Sequence, residues 1–178
     1  STPRRLYEMI AERAAGRAGV PWETVHFFFG DERMVPPDHQ DSNYRMAVGA
    51  LLSKIPLPET NVHRISGELP DAAAAAEEYE LDLRAFFATH RALVGPFPRF
   101  DLMLLGLGTD GHTASLFPGT TAVWEQQRWV TSAFVEKLNA HRVTLTPPVL
   151  NAAAHVLFLV SGEEKAEMVE EVLLGEFD

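Results

Sequence analysis

Residues 100–112 read FDLMLLGLGTDGH, an apolar run that breaks into glycines and closes on an aspartate and a histidine. Residues 100–105 predict a buried strand, being short, continuously apolar and bounded by a glycine. Gly106, Gly108 and Gly111 predict a turn at that strand's carboxyl end. That edge is where open α/β sheets bind ligands, and a glycine-rich turn exposes backbone N–H groups there. The turn matches G-x-G-x-x-G formally. A dinucleotide site also needs a sustained helix to aim its N-terminus at a pyrophosphate. Here residues 112–117 (HTASLF) are stopped by Pro118-Gly119, so that reading is set aside. Asp110 and His112 remain, two residues apart. Histidine is the natural general base near neutral pH. The equal alternative is a structural turn whose aspartate caps a short helix.

Outward from this turn, strands and helices alternate. Thr2 and Pro3 suit a helix start, with Leu6, Met9, Ile10, Arg13 and Ala14 at helical spacing until Gly16 and Gly19. Residues 24–29 (TVHFFF) predict a buried strand, and residues 30–41 (GDERMVPPDHQD) a polar loop. Ser42 caps a predicted helix to about residue 55, and residues 61–65 suggest a short strand. Residues 71–90, rich in alanine and glutamate, predict one long helix. Residues 129–135, 142–145 and 155–161 predict strands, with a short helix over 147–154. A last helix runs from Gly162 to about residue 174. Continuously apolar strands alternating with helices predict a single-domain α/β/α fold around a mainly parallel, Rossmann-like sheet covered on both faces. An α/β sheet normally has a strand feeding its first helix and another after its last. The expectation is therefore one domain over 1–178 that lacks residues at both ends.

Composition narrows the function. The 178 residues, 46% hydrophobic and 22% charged, are enough for one substantial core. There is no cysteine, which excludes disulfides, thiol catalysis and cysteine-ligated metals, and fits a reducing compartment. No apolar run approaches the roughly 20 residues needed to cross a bilayer. A net charge of −10 argues against nucleic-acid or membrane-surface partners, yet leaves room for a locally positive pocket.

Two further groups could bind an anion. Asp31-Glu32-Arg33 follows a predicted strand, where Arg33 can fork onto a phosphate with the acids orienting it, or can sit in a salt-bridged surface loop. Lys137 and Arg142, five residues apart, can converge on one anion if the chain between them curls, or remain two solvated charges. The spacing of Asp31, Glu32, Asp38, His39 and Asp41 matches no metal-ligand pattern. His26 and His155 read as core or edge residues, and His63, His90 and His141 show no partner pattern.

Taken together, FFFGDERMVPPDHQDSNY (27–44), LLGLGTDGHTASLFPGT (104–120), KLNAHRVTLTPPVLNAA (137–153) and VSGEEKA (160–166) resemble the 6-phosphogluconolactonase family. The opening STP is similar to the end of that family's G-G-S-T-P loop. The resemblance implies an α/β/α fold shared with the glucosamine-6-phosphate isomerase/deaminase group. It implies hydrolysis of 6-phospho-D-glucono-1,5-lactone in the oxidative pentose phosphate pathway, with no metal or organic cofactor. The implied setting is a cytoplasmic monomer whose partner is a small phosphorylated sugar lactone. Carried over by position, His112 is the general base and Asp110 orients it or the substrate hydroxyls. Amides around Gly108 to Gly111 are oxyanion donors. Arg33, Lys137 and Arg142 are phosphate-side cations, Ser1 and Thr2 belong to the phosphate loop, and Asp31 holds a sugar hydroxyl or Arg33.

Two alternatives follow from the same fold. The amino-sugar phosphate deaminases continue G-H-I-A-F-N-E-P, whereas this chain has Leu116 in place of the Asn and lacks the acid ahead of Pro118. A non-catalytic sugar-phosphate sensor is the other, and retention of His112 favours an enzyme over it.

Overall fold

A computed structural model describes residues 2–14 and 19–175. Helix α1 (Thr2–Ala14) opens the chain where the Thr-Pro start predicts it, and Ser1 lies outside the described residues. Two short strands follow, β1 (Phe27–Phe28) and β2 (Asp31–Arg33). Helix α2 (Asn43–Ala50) is capped by Ser42, whose Oγ accepts from the Arg45 N–H, and ends earlier than predicted in a 3-10 turn over Leu52–Lys54. Strand β3 (Val62–His63) leads to α3 (Ala72–His90), the helix that the alanine-rich stretch predicts, with Asp71 accepting from the N–H groups of Ala73 and Ala74. A small hairpin, β4 (Leu93–Val94) and β5 (Phe97–Pro98), turns at Gly95 with φ of 58°. Then come β6 (Met103–Leu105), β7 (Val130–Val135), β8 (Ala140–Leu145), α4 (Pro147–Ala152), β9 (Val156–Phe158) and α5 (Ala166–Leu174).

The fold is α/β, but the pairing is mixed rather than mainly parallel. β1 pairs with β3, and β6 with β9, in parallel. β2, β8 and β7 form an antiparallel three-stranded sheet. The reason lies in the connection. β7 and β8 are separated only by residues 136–139, with Asn139 left-handed at φ of 45°, and so short a link permits only a hairpin. The Asp-Glu-Arg segment, predicted as loop, becomes β2 because it finds β8 as a partner.

The core lies between α3 and the antiparallel sheet. Tyr79, Leu83 and Phe87 pack against Val130, Val143, Leu145 and Val149, all buried. Tyr79 does more than fill space. Its hydroxyl donates to the Phe29 carbonyl at 3.0 Å and accepts from the Phe29 N–H at 2.9 Å, joining α3 to the end of β1. Burial pushes this phenol's pKa far up, so it stays a neutral hydroxyl.

Two expectations need correction here. His63 does have partners: its Nδ1 lies 2.8 Å from Asp82 Oδ2, and its Nε2 lies 3.2 Å from His26 Nδ1. Strand β9, apolar throughout, is not covered on both faces. Val156, Leu157 and Phe158 all remain exposed, Phe158 by 51%.

Candidate active site

The glycine turn follows β6 as predicted, but residues 112–117 form no helix. The turn closes on itself. Gly108 N–H donates to the His112 carbonyl at 2.8 Å and Gly111 N–H to the Gly108 carbonyl at 3.2 Å. Thr113 Oγ1 donates to the Gly106 carbonyl at 2.9 Å, pinning the loop's base. Glycine is required twice. Gly111 is left-handed at φ of 82°, and a Cβ on Gly108 would run into the His112 ring. Ala114 is left-handed too, at φ of 48°, which costs a non-glycine residue roughly 1–2 kcal/mol.

This geometry narrows the choice of amides within residues 108–111. The amides of Gly108 and Gly111 are consumed inside the turn and cannot serve as oxyanion donors. Among the described residues the N–H groups of Thr109 and Asp110 make no hydrogen bond.

His112 sits in the turn with its Nδ1 2.5 Å from Asp110 Oδ1. A carboxylate can only accept, so the ring proton is on Nδ1 and Nε2 carries the free lone pair. Asp110 Oδ2 in turn accepts from Lys137 Nζ. Phe117 is the floor beneath both. The imidazole stacks on it at 4.1 Å between centroids, and Lys137 Nζ lies 4.6 Å from its centroid. The imidazole keeps 29% of its side chain exposed, so it is reachable from solvent. Burial of the remainder, helped by the positive charges of Lys165 and Arg142, holds its pKa below the ordinary value, while Asp31 pulls the other way.

The cations come from the antiparallel sheet. In register, Arg33 on β2 stands directly opposite Arg142 on β8. Opposed residues in an antiparallel pair project from the same face, so the two guanidinium groups share one side of the sheet. Burial, and then the charge of Arg33, lower the pKa of Arg142. Arg33 also donates to the Asp41 carbonyl. Lys137 lies in the turn between β7 and β8, and Ala140 at the start of β8 is about 7 Å along the strand from Arg142. His112, Asp110, Lys137, Arg142, Arg33 and Asp31 thus meet at one sheet edge from three distant parts of the chain.

The alternation of β2 separates the roles of its residues. Asp31 and Arg33 face the site, and Glu32 points the other way and is 2% exposed. Its carboxylate accepts from the N–H groups of Arg33, Asn43 and Tyr44 and from Ser42 Oγ, all between 2.8 and 3.0 Å. A buried charge is stable only when bonded in this way. Glu32 thereby locks β2 to the start of α2 and fixes where Arg33 emerges. Among the described residues Asp31 forms no ion pair: its Oδ1 accepts from Asn43 Nδ2 at 3.1 Å and its Oδ2 from Ser115 Oγ at 2.7 Å. The sequence reading did not single out Ser115, Phe117, Glu32, Asn43 or Lys165 for these places. The period-2 alternation of Asp-Glu-Arg was the one available signal for a buried Glu32. Thr2 opens α1, which packs on α2.

An α/β sheet edge that sets a fixed-tautomer imidazole beside opposed arginines has the chemistry to hold a small anion next to a base. The family model described as glucosamine-6-phosphate isomerases/6-phosphogluconolactonase matches residues 1–177, and the chain belongs to that family. It is 44% identical, over all 178 residues, to a 6-phosphogluconolactonase of Synechocystis, spanning 70% of that protein. It is 47% identical over 158 residues to the chloroplastic 6-phosphogluconolactonase 3 of Arabidopsis thaliana, covering 86% of this chain and 48% of that one. Among solved structures it is similar to 6-phosphogluconolactonase from Trypanosoma cruzi. There the TM-score is 0.83 and the identity 36%, with 99% of this chain and 70% of the other covered.

Proposed function

We propose that the protein hydrolyses 6-phospho-D-glucono-1,5-lactone to 6-phospho-D-gluconate. The single observation that carries the mechanism is the Asp110–His112 pair, which leaves Nε2 unprotonated and solvent-reachable. His112 Nε2 takes a proton from a water molecule as its oxygen bonds to the lactone C1. The tetrahedral oxyanion then collapses, the C1–O5 bond breaks, and the imidazolium returns its proton to O5. Asp110 orients the ring and, with Lys137, holds it over Phe117. The amides of Thr109 and Asp110 are the oxyanion donors in this reading. Arg33 and Arg142 bind the phosphate, whose dianion relieves the repulsion between them and anchors C1 against His112. No step calls for a metal or an organic cofactor. A cysteine-free chain is compatible with a reducing compartment such as the cytoplasm, the setting this reading assigns.

The deaminase alternative is less well supported. Phe117 occupies the place of that group's acid and serves as an apolar floor for His112. We test the lactonase reading in a pH-stat. The protein should accelerate acid release from fresh 6-phosphogluconolactone above the spontaneous rate. A rate equal to background favours the sensor alternative.

We infer further that residues 1–178 belong to one lactonase-like domain, with additional sheet and helix lying over β9 and α5. β9 is exposed on both faces, and Val172, Leu173 and Leu174 are exposed on α5 beside a hollow of about 520 Å³. The greater length of the relatives supplies chain enough to cover them. Residues 1–178 alone should bind an apolar dye, and a protein of the relatives' full length should not. Equal binding would overturn this inference, and dye exclusion through dimerisation would assign the face to a second copy.

A further inference from the structure

We propose that Ser115 is a positioning residue for His112, a buried peg that fixes the catalytic turn to strands β2 and β8. The proposal rests on the lactonase reading above and adds a part to it. Ser115 is 1% exposed and uses both its polar groups across the sheet edge. Its Oγ donates to Asp31 Oδ2 at 2.7 Å, 84 residues away in the chain. Its N–H donates to Thr144 Oγ1 at 3.2 Å. Asp31 and Thr144 are themselves register partners on β2 and β8, so one serine engages both members of a cross-strand pair. Asp31 is fixed from behind, where Asn43 Nδ2 donates to its Oδ1 and to its carbonyl.

The peg has something to hold. Only Thr113 and Ala114 separate His112 from Ser115, and Ala114 is the left-handed, strained residue of the turn. A turn containing that conformation relaxes unless both flanks are tied. Thr113 ties one flank to Gly106, and Ser115 ties the other to the sheet. The same bond brings the Asp31 carboxylate close to the imidazole, whose proton affinity it raises. A shift of about 1 Å in the base is enough to cost up to a hundredfold in rate, so the peg acts on kcat while leaving phosphate binding alone.

The test is Ser115→Ala, with circular dichroism as the folding control. The expected result is kcat reduced about tenfold or more and KM within about twofold of wild type. Ala114→Gly, added to Ser115→Ala, should recover part of the loss, because glycine adopts the left-handed turn without being held there. Unchanged kcat in Ser115→Ala, or a loss that the added glycine does not reduce at all, overturns the peg. Should Ser115→Ala fail to fold, Thr144→Val removes the second anchor isosterically. It too should lower kcat without raising KM, and unchanged kcat there overturns the proposal. If the wild-type protein has no lactonase activity, the function fails separately. The peg is then read from the His112 ring resonances, which Ser115→Ala should shift or broaden and which, unmoved, refute it.

Discussion

Arg33 and Arg142 face each other across adjacent antiparallel strands, two like charges in direct register at the edge of the site. Such a pair destabilises the sheet unless an anion lies between its members. Inorganic phosphate should therefore raise the Tm of the protein, and Arg142→Gln should abolish most of that rise. In the ligand-free state Arg142→Gln should melt no lower than wild type, since it removes repulsion. With lactone as substrate its KM should increase about tenfold or more, because a charged hydrogen bond to phosphate is lost. A phosphate-induced Tm rise equal in both proteins would place the anion elsewhere.

His112 and Asp110 make separable contributions. His112→Ala should lower kcat by about 10²–10⁴-fold, the range for loss of a general base, with little change in KM. Asp110→Asn keeps the shape, but it releases Lys137 and no longer dictates which ring nitrogen is protonated. Its kcat should fall as well, by about tenfold or more. Steady-state kinetics on both variants check the order, and an Asp110→Asn enzyme as fast as wild type would remove Asp110 from the mechanism.

The pH–rate profile follows from the depressed pKa of His112. The base works when neutral, and burial keeps it neutral below its ordinary value of 6.5. Activity should hold on descending through pH 6.5 and drop only at lower pH. Arg142 is one of the charges that depress this pKa, so Arg142→Gln should move the acid limb towards higher pH. A limb that moves the opposite way in the kcat/KM profile contradicts the assignment of His112 as base.

Stability should also depend on pH, through a different histidine. His26 resists protonation because of burial first, and then because of the charges of His63 and His90. His26 lies tilted against the Phe86 ring at 4.6 Å between centroids, and its Nδ1 meets His63 Nε2. Its folded pKa is lowered, so below about pH 6.5 the unfolded chain binds a proton that the folded chain refuses. Stability is therefore intact above that pH and is lost as the pH falls through it. Thermal melts between pH 7.5 and 5.5 should show a decline that is shallower in His26→Phe, and parallel declines would exonerate this residue.

Tyr79 offers a test of the core apart from chemistry. Tyr79→Phe keeps the ring but leaves the Phe29 N–H and carbonyl without their partner in a buried place. Denaturant melts should show a loss of about 1–3 kcal/mol, the cost of orphaned buried groups. Because Phe29 immediately precedes Gly30 and β2, the loss should be accompanied by weaker phosphate binding.

Local patterns were legible in the chain itself. The alanine-rich helix over Ala72–His90 follows from propensity acting within a few residues. So does the strand leading into the glycine turn that carries Asp110 and His112, because a short apolar run bounded by glycines is read within a few residues. Cysteine content, charge and hydropathy excluded whole classes of chemistry for the same reason: they need no neighbour to be read. Tertiary structure alone decided the rest. Whether Asp31–Arg33 is loop or strand depends on β8, more than a hundred residues later. The pairing of β2 with β8, the opposition of Arg33 to Arg142 and the Ser115–Asp31 bond are contacts between segments remote in sequence. No local propensity encodes such pairings. They form because register, burial and the need to bond every buried polar group are satisfied together in one packing.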